Sequence, residues 1–227
     1  IHLQATSGSL GGFLMEDIRI ACVQMNSVMG DPKTNLDKIV RYSEKAAETG
    51  AKIVCFPELA VTGSLYEGAY KFSETIPGES SSELLAAAQH YEITIIAGIC
   101  ERGHDGVVYN SLVICFSDGR VERFRKLYIP EGEYPFFREG SEVPVFEAPG
   151  CTFGVSICAD LNFAELYKLM SVKGAEVIFN ANGGGRIAHY GKLLDFEEKA
   201  RSIRLDRRSY KRSLRYYSTT NAVYFFM

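Results

Sequence analysis

Apolar and polar positions along this chain switch between a period of two and a period near 3.6, and the switches mark its elements. Ile18–Gln24 reads as a strand. Thr34–Thr49 then puts Leu36, Ile39, Val40, Ser43 and Ala47 on one helical face, with Thr34 as cap and Gly50 as stop. Lys52–Phe56 predicts a buried strand that runs into Pro57-Glu58. Ser81–Tyr91 predicts a second helix and Ile93–Ile99 a third strand. Val107–Phe116 and Arg120–Phe124 pair through the turn Ser117-Asp118-Gly119. Thr152–Cys158 is a strand with Val155 and Ile157 on one face, and Phe163, Leu166 and Met170 recur behind it at helical spacing. A strand over Glu176–Asn180, a helix over roughly Tyr190–Arg204 and a last strand over Ala222–Phe226 complete the series. Strands alternating with helices, plus one hairpin, predict a single α/β domain whose mixed sheet is covered by helices.

Composition adds bounds. A chain of 227 residues suits one domain with a full core. The net charge of -3 asks for neither nucleic acid nor an acidic membrane surface. No apolar run reaches the ~18 residues of a membrane-crossing helix. Residues 1–14 are rich in Gly and Ser, lack periodicity and lack the pattern of a secretory signal. They read as an extension ahead of a natural start at Met15, with residues 15–227 as the domain. Six cysteines occur, without a CxxC pair and mostly inside apolar runs, which suits reduced thiols in a cytoplasmic protein. With four histidines and no His/Cys pair at ligand spacing, no metal site is expected.

Three residues stand out chemically. Cys158 closes a strand just before a helix-like run, where backbone N–H groups and a positive helix end favour a thiolate and an oxyanion. The alternative is a buried structural cysteine. Glu58 sits between the apolar runs Ile53–Pro57 and Leu59–Val61, so partial desolvation would make it a usable base. The alternative is a side chain turned to solvent at the strand end. Lys126, after the hairpin, would favour a nearby thiolate and stabilise a tetrahedral intermediate. A lysine there is more commonly a surface residue. Glu133 follows seven positions later in a Gly/Pro loop.

Their order carries more than any one of them. Phe56-Pro57-Glu58-Leu59, Arg125-Lys126 before an apolar-Pro pair, and Cys158-Ala159-Asp160 at a strand end resemble the three signatures of the nitrilase, or carbon-nitrogen hydrolase, superfamily. Gly30-Asp31-Pro32, Tyr109-Asn110-Ser111 and Lys173–Ile178 fit as well. The resemblance runs from about Ile18 to Asn180. It implies a four-layer αββα sandwich with two facing sheets. It also implies a Glu58-Lys126-Cys158 triad, Glu133 as a supporting glutamate, and the backbone N–H of Ala159 as an oxyanion donor. The reaction would run through a thioester, with no metal or organic cofactor, on a small linear amide or carbamoyl compound, releasing ammonia. Tyr66, Asn162 and Asn182 are candidate pocket residues.

Several positions depart from the family pattern. Tyr128 stands where histidine is common, Ala159 where an aromatic or acidic residue is common, and Glu139-Gly140-Ser141 replaces the usual Pro-Gly-Asp. Cys-Ala-Asp resembles the amidase branches more than the nitrile-cleaving branch. His189-Tyr-Gly-Lys192 is similar to the glutamine-hydrolysing domains of glutamine-dependent NAD synthetases, so a glutaminase feeding a partner is an alternative. An inactive scaffold of the same fold is another, since the chain looks short at its C-terminus. Residues 186–217 carry ten Arg/Lys against four Asp/Glu, which reads as a solvated helix face rather than a nucleic-acid surface. Gly183-Gly184-Gly185 lacks the GK[ST] of a phosphate loop and reads as a pocket rim. The family's helical face after the cysteine packs on a second copy. Leu161–Val172 has the pattern for that, with Tyr167 and Leu169 expected outward, so a homodimer or higher oligomer is expected.

Overall fold

A computed structural model describes the backbone of residues 2–6, 17–183 and 196–227, and the side chains of 17–183 and 208–227. Two sheets lie face to face with helices outside them. The first has six strands in chain order: β1 (His2–Thr6), β2 (Ile18–Cys22), β3 (Ile53–Cys55), β4 (Thr94–Arg102), β5 (Val108–Cys115) and β6 (Val121–Arg125). Strands β2, β3 and β4 are parallel, and β4, β5 and β6 are antiparallel. The second sheet runs β10 (Tyr224–Phe226), β9 (Val177–Ala181), β8 (Cys151–Ile157), β7 (Phe146–Ala148). Helices α1 (Pro32–Glu48) and α2 (Glu79–His90) cover the first sheet. Helices α3 (Ala164–Val172) and α4 (Phe196–Asn221) belong to the second. This is the expected four-layer arrangement.

Alternation along the strands decides which layer each residue joins. Ile53, Cys55, Ile96, Leu112 and Ile114 point into the space between the sheets, where they meet Phe153, Val155 and Phe179. Their neighbours Val54, Ile95, Ala97 and Val113 point the other way, onto Leu36 and Ile39 of α1 and Leu84 and Ala88 of α2. Buried on both faces, β3, β4 and β5 read as nearly unbroken apolar runs.

Several local expectations change. Asp31, not Thr34, caps α1: its side chain accepts the Thr34 N–H at 3.1 Å, and Pro32 follows at the first helical position. That hydrogen bond holds the Asp31 carboxyl below its ordinary range. Residues 2–6 pair antiparallel with Ile18–Cys22. The short β7 pairs with the start of β8. The helix expected over Tyr190–Arg204 is α4, which runs on to Asn221; its expected first residues lie outside those described. Tyr167 is buried rather than outward. Its ring meets Tyr217 of α4 and Phe225 of β10, so segments of the same chain cover it. Leu169 is exposed, as expected.

Candidate active site

Glu58, Lys126 and Cys158 each stand just beyond the end of a strand. Glu58 follows β3 in the turn Pro57–Val61, which is laid onto β4: Pro57 O accepts from Gly98 N, and Gly98 O accepts from Val61 N. Leu59 takes a left-handed backbone, φ +51°, to make that turn. Lys126 follows β6, and its N–H bonds Asn110 O across the hairpin. Cys158 follows β8 with φ +44°, again left-handed. It opens a 3-10 turn over Cys158–Asn162, and α3 begins only at Ala164. Glu133 closes a second 3-10 turn, Glu131–Glu133.

These elements bring Glu58, Lys126, Glu133 and Cys158 together. Lys126 is fully buried, and its Nζ donates to Glu58 Oε1 and to Glu133 Oε2, both at 2.8 Å. The surface reading of Lys126 is therefore wrong, and so is the solvated reading of Glu58, which is 6% exposed. Asn110, buried in β5, donates to the same Glu58 Oε1 at 2.8 Å, and Gly183 N–H donates to Oε2 at 3.1 Å. Glu58 is thus fixed by donors from three separate segments. Neither Asn110 nor Gly183 had been singled out for this. The amide of Asn110, with Ser111, interrupting an otherwise apolar strand was the available signal.

Burial first, and then the charges around it, bear on the state of the thiol. Burial works against the Lys126 ammonium, but Glu58, Cys158 and Glu133 outweigh it and hold its pKa well above the ordinary lysine range. Burial, with Glu58 next to it, pushes the Cys158 thiol well above its ordinary range, against the pull of Lys126. The direction runs against the expected thiolate: the thiol is buried, two carboxylates share one ammonium, and an α-helix end is not adjacent. Asp160, fully buried, accepts from Tyr128 N at 2.9 Å, Leu127 N at 3.2 Å and Ile157 N at 2.9 Å. Burial pushes its carboxyl up to about 7, opposed by those N–H groups.

The candidate pocket residues divide. Tyr66 reaches the cluster: its hydroxyl lies 3.5 Å from Glu133 Oε1, and its ring packs on Phe136 and Phe137. Burial, then Glu133 and Glu58, keep that hydroxyl protonated by raising its pKa. Asn182 is half-buried, directly before Gly183. Asn162 is exposed, and its amide closes its own turn onto Ala159 O at 3.1 Å rather than turning toward Lys126. Residues 189–192 and 184–185 lie outside the described residues.

Known proteins place this chain in a family. The carbon-nitrogen hydrolase model matches residues 19–204. A nitrilase of Pyrococcus abyssi is 30% identical over 208 residues, 88% of this chain and 78% of that protein. Omega-amidase NIT2 of Xenopus tropicalis is 33% identical over 176 residues, 72% of this chain and 63% of that protein. Nit3 of Saccharomyces cerevisiae, a member of branch 10 of the nitrilase superfamily, superposes with a TM-score of 0.67 at 25% identity, covering 73% of this chain and 64% of that one. The chain belongs to the carbon-nitrogen hydrolase family, within the nitrilase superfamily. It spans less than two thirds of the last two relatives.

Proposed function

We propose that this protein hydrolyses the carbon-nitrogen bond of a small linear amide or carbamoyl compound, with Cys158 as nucleophile. The observation that carries this reading is the buried Lys126 ammonium held at 2.8 Å by both Glu58 and Glu133, in a family of carbon-nitrogen hydrolases. Relatives named omega-amidase support an amide substrate, beside others named nitrilase.

The steps follow from the groups present. Cys158 Sγ attacks the amide carbon as Glu58 takes the thiol proton. The oxyanion forms against Lys126 and the Ala159 N–H. Glu58 returns the proton to the leaving nitrogen, the C–N bond breaks, and ammonia departs from a thioester. Water then attacks the thioester, giving Glu58 one proton, and the acid leaves as Cys158 regains its hydrogen. Glu133 keeps Lys126 charged and aimed, and no step calls on a metal or organic cofactor. Ammonia release across short aliphatic amides, carbamoyl amino acids, glutamine, asparagine and nitriles tests the reading. Release from none of them, by a folded chain, would overturn it.

Because burial and Glu58 raise the Cys158 pKa, iodoacetamide labelling of Cys158 should still climb with pH between pH 7 and 9. Peptide mapping follows the rate. A plateau across that range that persists in Glu58→Gln would reveal a preformed thiolate and defeat the proton-transfer step.

Leu169 and Val172 on α3 and Tyr216 on α4 remain exposed at 42%, 72% and 59%. A second copy of the chain is proposed to cover them. Light scattering at micromolar concentration should give twice the chain mass, whereas a clean monomer would remove this contact. Among the described residues no helix is long and apolar enough to cross a membrane.

A further inference from the structure

Asp160 has no place in the steps above, yet its carboxylate is fully buried and touches both sides of the site. Oδ1 accepts the N–H groups of Leu127 and Tyr128, the two residues after Lys126. Oδ2 accepts the N–H of Ile157, the residue before Cys158. Lys126 leaves the six-stranded sheet and Cys158 the four-stranded one. One carboxylate therefore joins the two sheets at the point where the ammonium and the thiol must meet. Its bond to Ile157 also spans Cys158 and closes the turn that holds the left-handed nucleophile backbone.

A carboxylate is a costly choice for a structural tie. Removed from water, it loses solvation worth several kcal/mol, as an order of magnitude. An asparagine would carry no charge, but it offers one acceptor oxygen and a donating NH₂. It can receive N–H groups from one segment and must repel the other. Only a group with two accepting oxygens holds both at once. A second contact runs alongside: the Tyr128 ring stacks on Phe163 with planes 5° apart, and the Tyr128 hydroxyl donates to Glu165 at 3.1 Å.

We propose that Asp160 is a positioning residue that sets the register of Lys126 against Cys158. The proposal rests on the hydrolase reading, and its test separates the two. Wild-type chain is first assayed on the amide panel. Asp160→Asn and Asp160→Glu are then compared on an amide that wild type hydrolyses, with active sites counted by Cys158 alkylation and the fold followed by circular dichroism. For Asp160→Asn, kcat per counted site should fall about 10- to 100-fold while KM stays within about threefold, as expected for misplacement near 1 Å. Amide exchange should quicken at Leu127–Tyr128 and at Ile157 together. A kcat per site within about twofold of wild type, with only the melting temperature lowered, would make Asp160 merely structural and overturn the proposal. If Asp160→Asn does not fold, Asp160→Glu decides: a folded chain with kcat down about tenfold supports it, while wild-type kcat or failure to fold overturns it. Silence of wild type on every amide would instead sink the hydrolase reading. The exchange comparison would then still test the tie: unchanged exchange in either segment would overturn it.

Discussion

Lys126→Ala is expected to abolish ammonia release and to cost the fold about 3–5 kcal/mol at once. The two losses share one cause. Lys126 is fully buried and is the cation for Glu58 and Glu133, so removing it leaves two carboxylates facing each other without a counter-charge. Turnover should fall at least about 10³-fold, because groups that act as a unit lose nearly everything when one goes. Glu58→Gln is the informative comparison. It keeps one oxygen for the Lys126 and Asn110 donors, turns an NH₂ toward the Gly183 N–H, and cannot take the thiol proton. Activity should drop as far, while stability falls much less. Urea denaturation beside the ammonia assay reads both quantities. An active Lys126→Ala chain, or one as stable as wild type, would contradict the arrangement of charges described here.

Gly98→Ala should be nearly as damaging without touching a charged group. A methyl group on Gly98 would lie 2.1 Å from Leu59 N, 2.5 Å from Pro57 O and 2.6 Å from the Glu58 carbonyl carbon. All three are backbone atoms of the turn that presents Glu58, and that turn is already held in a left-handed conformation at Leu59. No rotamer change can relieve the overlap. Either β4 or the Glu58 turn must move. A stability loss of about 3 kcal/mol or more is expected. A 1 Å shift of the base should cost roughly 100-fold in turnover. Gly132→Ala, with open space around it, should change stability by under about 0.5 kcal/mol. Equal behaviour of the two variants would show that the close approach at Gly98 is not limiting.

Much of this was legible in the residues, and the remainder was hidden for physical reasons. Strands β3, β4, β5, β8 and β9 announce themselves because burial on both faces gives continuous apolar runs. Glu58 and Cys158 stand out because each is a reactive group closing such a run, whereas Lys126 follows the charged strand β6 and stands out only through the order of the three motifs. The ties among them are not local. Asp160 meets Leu127 and Tyr128 across 33 and 32 positions, and Asn110 meets Glu58 across 52. Periodicity carries no record of such pairings. Tyr167 was misassigned for the same reason: helical spacing places it off the stripe formed by Leu166 and Met170, but the rings that bury it arrive from Tyr217 and Phe225. The thiol was misjudged because its environment is a sum of burial and three charges, of which a lysine nearby is only one.

The bond from Gly183 to Glu58 joins residues 125 positions apart, and the ion pair from Lys126 to Glu58 joins residues 68 apart. The first cannot form before the two sheets have docked, and the second needs β3 and β6 assembled in one sheet, since the loops that must close are long and closing them costs entropy before any contact repays it. The β4–β5–β6 meander, by contrast, is made of near neighbours. In refolding, sheet structure should therefore accumulate first, and the competence to react should be among the last properties the chain acquires.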